Sequence, residues 1–331
     1  MLHRSTSHRL TYAAITLALV VVGLVGPTST GEAAPAHTNA SLAPPYYLSL
    51  GDSYATGYQP TVGGSTKGYT AVVAKAQHLS LVNFGCGGVT TTMILTYVGC
   101  LPGAQPAFSD GWNSGNITNT QEANALAFID AHPGQVKLVT VTIGGNDVVS
   151  CSWVSFATLW NCIVTTTSTM ATNVGQLVSD LDAHLTAAGD TGALIVGSTY
   201  PDTYLAYGLN PNTTYLGFLS TDGFNYHINS TLNTAYTSVS RGRFVDVTNA
   251  PYVHGKLAAT AGMNTNPYAV DSSLNYYWTG PKYLDARYMW ITMAQEEICQ
   301  LTFACSQSDP HPTTKGYKFI GGLINAKIAA G

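Results

Sequence analysis

Ser53 stands in Gly51-Asp52-Ser53-Tyr54, directly after a short apolar run, Tyr46 to Leu50, that fits a buried strand. A strand that stops on glycine delivers the following side chains to the carboxyl edge of a sheet. A serine hydroxyl there attacks an acyl carbon once a base removes its proton. Gly, Asp and Ser are also ordinary turn residues, so the tetrapeptide alone is a weak signal. Gly144-Gly145-Asn146-Asp147 follows the most strand-like run of the chain, Val136 to Ile143. The Asn146 amide N–H at that edge suits a developing oxyanion, a contribution of roughly 3 kcal/mol in comparable sites. Asn83-Phe84-Gly85-Cys86-Gly87-Gly88 follows a further strand-like run, and Gly88 allows a close backbone approach that makes its N–H a second oxyanion donor. The plain alternatives are a turn into the next helix for the first of these and a flexible loop for the second.

The base has to be one of nine histidines. His3, His8 and His37 lie in the N-terminal segment. His78 and His184 end helices, where a cation is favourable without any catalytic role. His227 and His254 have no supporting motif. His132 and His311 share a local string, Asp130-Ala131-His132-Pro133 and Asp309-Pro310-His311-Pro312. His132 precedes a strand and therefore lies at its amino end, opposite Ser53. His311 precedes the closing helix and lies at the carboxyl edge, so it is the expected base and His132 a helix-stop residue.

The elements that must position these residues alternate. Strands are expected at 46–50, 79–84, 136–143, 193–199 and 243–247, and helices at 66–77, 121–131, 171–188, 224–239 and 313–329. Val174, Leu177, Val178, Leu181 and Leu185 keep the i, i+3, i+4, i+7 spacing of one helix face. Alternating strands and helices predict an α/β fold with a parallel sheet covered on both faces. Sites in such sheets lie at the carboxyl ends of the strands. Residues 248–308, rich in Tyr, Asn, Gly and Pro, break the rhythm and read as one long excursion above the sheet. The chain has 20 tyrosines, with Tyr276-Tyr277-Trp278 inside that excursion. They suit an aromatic pocket, or equally the amphipathic surface of a chain with few charges.

Only 9% of the 331 residues are charged and the net charge is −4, with no basic run to track phosphates, which argues against nucleic acid. Arg4 and Arg9 precede an apolar run, Leu10 to Gly26, and Ala34-Pro35-Ala36 offers a cleavage site. Residues 1–36 are therefore expected to be a signal peptide and 37–45 a flexible lead-in to one domain over 46–331. The other reading of the apolar run is a membrane anchor, for which it is at the short limit. No later segment is apolar enough for a stable membrane span. The six cysteines fall in three close pairs, Cys86 and Cys100, Cys151 and Cys162, Cys299 and Cys305. Sequence cannot choose among the fifteen pairings of six cysteines, but an exported chain favours disulfides, and the local pairs are the expected ones. No spacing supports a metal site, and no cofactor is implied.

Ser53, Gly88, Asn146 and His311, in that order, together resemble the SGNH, or GDSL-type, hydrolases, and the resemblance extends over about 46–330. It is most specific in Tyr46–Ser53 and Val139–Asp147. It implies a flavodoxin-like three-layer α/β/α sandwich and metal-free hydrolysis of esters, lipids or acylated sugars. The export signal, paired cysteines and low charge look like secreted actinobacterial lipase/esterase members. It also implies Ser53 as nucleophile, His311 as base, and the N–H groups of Ser53 and Gly88 with the Asn146 side chain as oxyanion donors. One position departs from the family pattern, which places an Asp three residues before the His. Here Ser308 holds that place and Asp309 follows it. Asp309 orients the imidazole, or the backbone carbonyl of Ser308 does so in a Ser–His dyad, or Asp309 only caps the closing helix. The expected arrangement is a dyad or a loosely formed triad. The expectation is an extracellular, monomeric serine esterase or lipase acting on a lipid or acylated small molecule. Carbohydrate O-acetyl esterase, phospholipase and a non-catalytic glycan-binding protein are the alternatives.

Overall fold

Five strands pair in parallel in the order β2-β1-β3-β4-β5 in a computed structural model that describes residues 44–102, 118–204, 206, 227–248 and 298–331. The strands are β1 (Tyr46–Gly51), β2 (Ser80–Asn83), β3 (Val136–Thr142), β4 (Leu194–Ser198) and β5 (Gly242–Val245). Residues 43–331 make one compact unit. The expected signal segment, most of the lead-in and positions 249–297 of the 248–308 excursion lie outside the described residues.

β1 and β3 are the central pair, in register from Leu48↔Val139 to Gly51↔Thr142. Their side chains are buried on both faces almost throughout, which is why they read as apolar runs rather than alternating ones. Strand order reverses direction at β1, and the carboxyl ends of β1 and β3 open side by side at that switch point.

Helices cover both faces. On one face α1 (Tyr69–Gln77) contributes Tyr69 and Val73, and the closing helix contributes Tyr317, Ile320 and Ile324, packed with Tyr47, Leu138 and Val196. On the other face the sheet residues Leu48, Leu50, Val139, Val141 and Ile195 meet α2 (Thr91–Thr96), α3 (Gln121–Ala131) and the long helix after β3. Between β3 and that helix run α4 (Gly145–Val149) and a 3-10 turn (Ser150–Trp153). The long helix, α5, spans Phe156–Ala187, well beyond the expected 171–188. Its upstream half is rich in Thr, a poor helix former, yet Ile163 and Met170 continue the buried stripe of Val174 to Leu185. Thr167, Thr169 and Thr172 bond their hydroxyls to carbonyls four residues back, so side chains that would favour other backbones are satisfied within the helix. α6 (Asn229–Tyr236), α7 (Ala304–Gln307) and α8 (Thr314–Ala329) follow, and residues 298–301 are helical as well. Among the described residues, no helix is long and apolar enough to cross a membrane.

Three disulfides close the local pairs: Cys86–Cys100, Cys151–Cys162 and Cys299–Cys305. Each clamps a connection on the site side of the sheet: the loop after β2, the segment between α4 and α5, and the turn before α7.

Candidate active site

Gly51, the last residue of β1, has φ +133°, and a Cβ there would lie 2.1 Å from the Thr142 carbonyl oxygen. Only glycine turns the chain at this point, and the turn lifts Asp52 and Ser53 out of the sheet. Three neighbours fix it. The buried Gln121 side chain, at the start of α3, accepts from the Gly51 N–H at 2.5 Å and donates to the Gly51 carbonyl at 3.1 Å. The Cys86 N–H also donates to that carbonyl, at 3.0 Å, and the Asp52 N–H donates to Thr142 at 3.1 Å. Ser53 thus stands on a turn with little freedom. Nothing in the sequence of α3 distinguished Gln121, because its role exists only through a backbone 70 residues away.

His311 arrives from the opposite end of the chain. Ser53 Oγ lies 2.7 Å from His311 Nε2, across a separation of 258 residues. His311 Nδ1 lies 2.7 Å from Asp309 Oδ1, and the His311 backbone N–H donates to the same oxygen at 2.8 Å. The carboxylate therefore meets the ring directly, where the sequence leaned to a dyad or a loose triad. Ser308 takes a left-handed conformation (φ 52°) that lets a carboxylate only two residues before the histidine fold back onto it. Asp309 does not cap the closing helix. The Thr313 side chain caps α8, accepting from the Gly316 N–H at 3.3 Å. Burial works to raise the Asp309 carboxyl, but the bonds and charge from His311 hold it below its ordinary value.

The histidine loop is tied both to its own stem and to the Ser53 turn. Phe303 N–H donates to the His311 carbonyl at 2.9 Å and Thr313 N–H to Leu301 at 2.8 Å, beside the Cys299–Cys305 bridge. The Tyr54 hydroxyl, one residue after Ser53, donates to the Pro310 carbonyl at 2.7 Å. The Tyr58 ring lies 4.5 Å from the imidazole, and the Tyr317 hydroxyl donates to the Tyr58 carbonyl. His132 is elsewhere, stacked on Phe128 at the end of α3 with Nδ1 2.8 Å from the Phe128 carbonyl oxygen.

Asn146 occupies the first turn of α4. Gly144 before it has φ +114°, and a Cβ there would meet the Met170 side chain at 2.5 Å. The Asn146 amide donates to the Val89 carbonyl at 2.9 Å and to Asp52 Oδ2 at 3.3 Å. Asp147 accepts from the Thr91 N–H at 2.9 Å and the Thr91 hydroxyl at 2.6 Å. These bonds pin the Gly88–Thr91 loop to the Asn146 turn. Gly88 (φ +80°) is one residue from the Asn146 partner Val89, but it is not among the residues lining the cavity at Ser53.

Asp52, 1% exposed, takes the Tyr54 N–H at 2.9 Å on Oδ1 and the Tyr200 hydroxyl at 2.5 Å on Oδ2. Burial pushes its carboxyl up to about 6, against the bonds from Tyr200 and Tyr54 and the charge of His311, which pull it down. Burial also pushes the Tyr54 and Tyr200 phenols well above their ordinary value, so both remain protonated donors.

The cavity measures about 380 Å³ and holds Ser53, Asn146, Asp309 and His311 in its wall. The remaining wall is largely apolar, with Val148, Val149, Met170, Tyr200, Pro201 and Ile228. Such an arrangement can activate a serine hydroxyl beside a space shaped for an apolar group. Among the described residues, no group of three or more His, Cys, Asp or Glu is placed to hold a metal ion.

Residues 49–319 match the GDSL-like lipase/acylhydrolase family. No curated protein matches the chain. Similar solved structures include the following three. The Bacillus subtilis protein YXIM is 12% identical with a TM-score of 0.47; the match covers 87% of this chain and 57% of that one. A G-D-S-L family protein from Desulfitobacterium hafniense DCB-2 is 13% identical with a TM-score of 0.36, covering 86% of this chain and 98% of that one. The lipase Lip_vut3 from a goat rumen metagenome is 17% identical with a TM-score of 0.45, covering 85% and 96%.

Proposed function

We propose that this chain, which belongs to the GDSL-like lipase/acylhydrolase family, is a serine esterase that cleaves carboxylic esters through an acyl-enzyme formed on Ser53. The observation that carries the reading is the continuous chain Ser53 Oγ–His311 Nε2, 2.7 Å, and His311 Nδ1–Asp309 Oδ1, 2.7 Å, at the wall of a largely apolar cavity. With its Nδ1–H directed at Asp309, the imidazole presents a bare Nε2 to the serine hydroxyl. His311 takes the Ser53 proton as Oγ bonds to the ester carbon, and the carbonyl electrons move onto oxygen. The Ser53 and Gly88 N–H groups and the Asn146 amide stabilise that oxyanion. His311 returns the proton to the leaving alcohol. A water, deprotonated by His311, then attacks the acyl-serine and releases the acid.

The apolar wall favours an alkyl acyl group on a lipid or small molecule over an acetyl group on a sugar. The three disulfides and the low charge suit an exported protein, with residues 1–36 removed on secretion and the enzyme acting outside the cell as a monomer.

Hydrolysis of chromogenic esters from two to sixteen acyl carbons, by the chain and by Ser53→Ala, tests this. Turnover by the former alone, with an optimum beyond acetyl, is the expected result. Equal turnover by Ser53→Ala refutes the nucleophile, and strict preference for acetyl esters moves the substrate to O-acetylated carbohydrate. Glycan binding without any turnover would replace the enzyme reading altogether.

A further inference from the structure

We infer that Tyr200 is a positioning residue for the oxyanion donor: its hydroxyl occupies Asp52 Oδ2 and thereby leaves one N–H of Asn146 available to the reacting carbonyl oxygen. The inference rests on the esterase reading above. A carboxamide has two N–H bonds. One goes to the Val89 carbonyl at 2.9 Å and fixes the plane of the Asn146 amide. The other points to Asp52 Oδ2 at 3.3 Å, near the outer limit for such a bond. Both are therefore spoken for at rest, and the second, weaker one is the one that an oxyanion can claim.

The weakness of that contact has a visible cause. Asp52 Oδ2 is already taken by the Tyr200 hydroxyl at 2.5 Å, a short charge-assisted bond, while Oδ1 is held by the Tyr54 N–H. Tyr200 cannot easily leave. It is 8% exposed, its ring lies edge-on to Tyr54 at 4.8 Å, and it packs so closely on Gly145 that a Cβ there would come within 3.0 Å of its ring. Gly145 immediately precedes Asn146, so the ring and the donor it serves are seated on one turn. Without the hydroxyl, Oδ2 keeps one donor, Asn146. That contact closes and the N–H is withdrawn from the cavity. The effect falls on the transition state and not on the bound ester, because phenylalanine keeps the ring that lines the cavity.

The test is Tyr200→Phe, alone and combined with Asn146→Ala, with kcat and KM normalised to active sites titrated by a phosphonate ester so that partial unfolding does not count. Tyr200→Phe should lower kcat about tenfold, a fraction of the 10²–10³ lost when an oxyanion donor is removed outright, with KM within about twofold. In the Asn146→Ala background the same change should cost almost nothing more, because the group it acts through is gone. A further tenfold loss there, or a rise in KM with kcat intact, overturns the inference in favour of a packing role. Wild-type kcat in Tyr200→Phe overturns it as well. If Ser53→Ala retains turnover, the esterase reading itself has failed; if Ser53→Ala is inactive and Asn146→Ala impaired, only the role of Tyr200 is at stake.

Discussion

Asp309→Asn changes one oxygen of a carboxylate into an amide nitrogen and leaves the shape of the histidine loop in place. The carboxylate contributes through its charge and through the tautomer it imposes. For the charge, an imidazolium and a carboxylate about 4 Å apart attract by about 4 kcal/mol at the effective dielectric of a protein surface. The His311 and Asp309 side chains are 16% and 23% exposed, so part of this is screened and about 3 kcal/mol remains, or roughly 10²-fold in rate. For the tautomer, the corresponding change in a serine protease costs near 10⁴, because the amide can present its N–H to the ring and turn it the wrong way. Here the His311 backbone N–H also donates to Asp309 Oδ1 at 2.8 Å, and an asparagine satisfies that donor only with its oxygen in the same place. The oxygen then still accepts from Nδ1–H, and the correct tautomer survives. The expected loss in kcat is therefore about 10², near the charge contribution alone, with KM unchanged. Asp309→Ala, which loses the tautomer as well, should fall lower. Steady-state hydrolysis of a short chromogenic ester, normalised to titrated active sites, measures both. A loss below about tenfold in Asp309→Asn refutes a triad role for Asp309 and restores the dyad.

Other consequences follow from the same network. The Asp52 carboxyl lies higher in the folded state, about 6, than its ordinary 3.8, so the folded protein binds this proton more tightly than the unfolded chain. That stability is present below about pH 4 and is lost, by about 3 kcal/mol, as pH rises through about 6. Melting temperatures measured from pH 4 to 8 should show this decline in the wild type and a shallower one in Asp52→Asn. An equal slope in the two proteins contradicts the assignment. Glu122, pushed up to about 7 by burial and by Asp180, should supply part of the slope that Asp52→Asn retains, beside Asp147 and Asp190, whose carboxyls burial also raises, and Glu122→Gln should reduce it. The paired change Cys86→Ser with Cys100→Ser opens a bridge across 14 positions and should cost about 3 kcal/mol in denaturant unfolding, with no change expected if the bridge does not form. Gln121→Ala strands the buried Gly51 N–H and should cost about 2 kcal/mol and lower kcat, although its side chain is remote from the substrate. Unchanged unfolding and kcat would mean that the Ser53 turn holds itself.

Strand and helix order were legible because β1 and β3 are buried on both faces and therefore apolar throughout, and because the 174–185 stripe keeps helical spacing. The upstream half of α5 was not, because threonine propensity argues against helix, and the burial of Ile163 and the packing of Met170 in the core override it. The short α2 escaped for a related reason: its six residues hold on a cap from Thr90 and on the Asp147 bonds to Thr91, neither of which leaves a period to read. For the site, chain order alone nominated Ser53, Asn146 and His311, since residues that follow parallel strands or precede the next helix share one edge of the sheet. Distances between them were beyond it. Whether the imidazole met a carboxylate two residues away depended on the left-handed Ser308, a backbone angle that side-chain identity does not announce. Gln121, Tyr200 and the buried Asp52 pair act across 70 to 148 positions, through hydrogen bonds to groups that lie far off in sequence. Local sequence thus determined the elements and the edge on which the chemistry lies, because periodicity and turn residues act over a few positions. The tertiary structure decided which donors and acceptors meet there, because a hydrogen bond is set by angstroms in space and not by spacing along the chain.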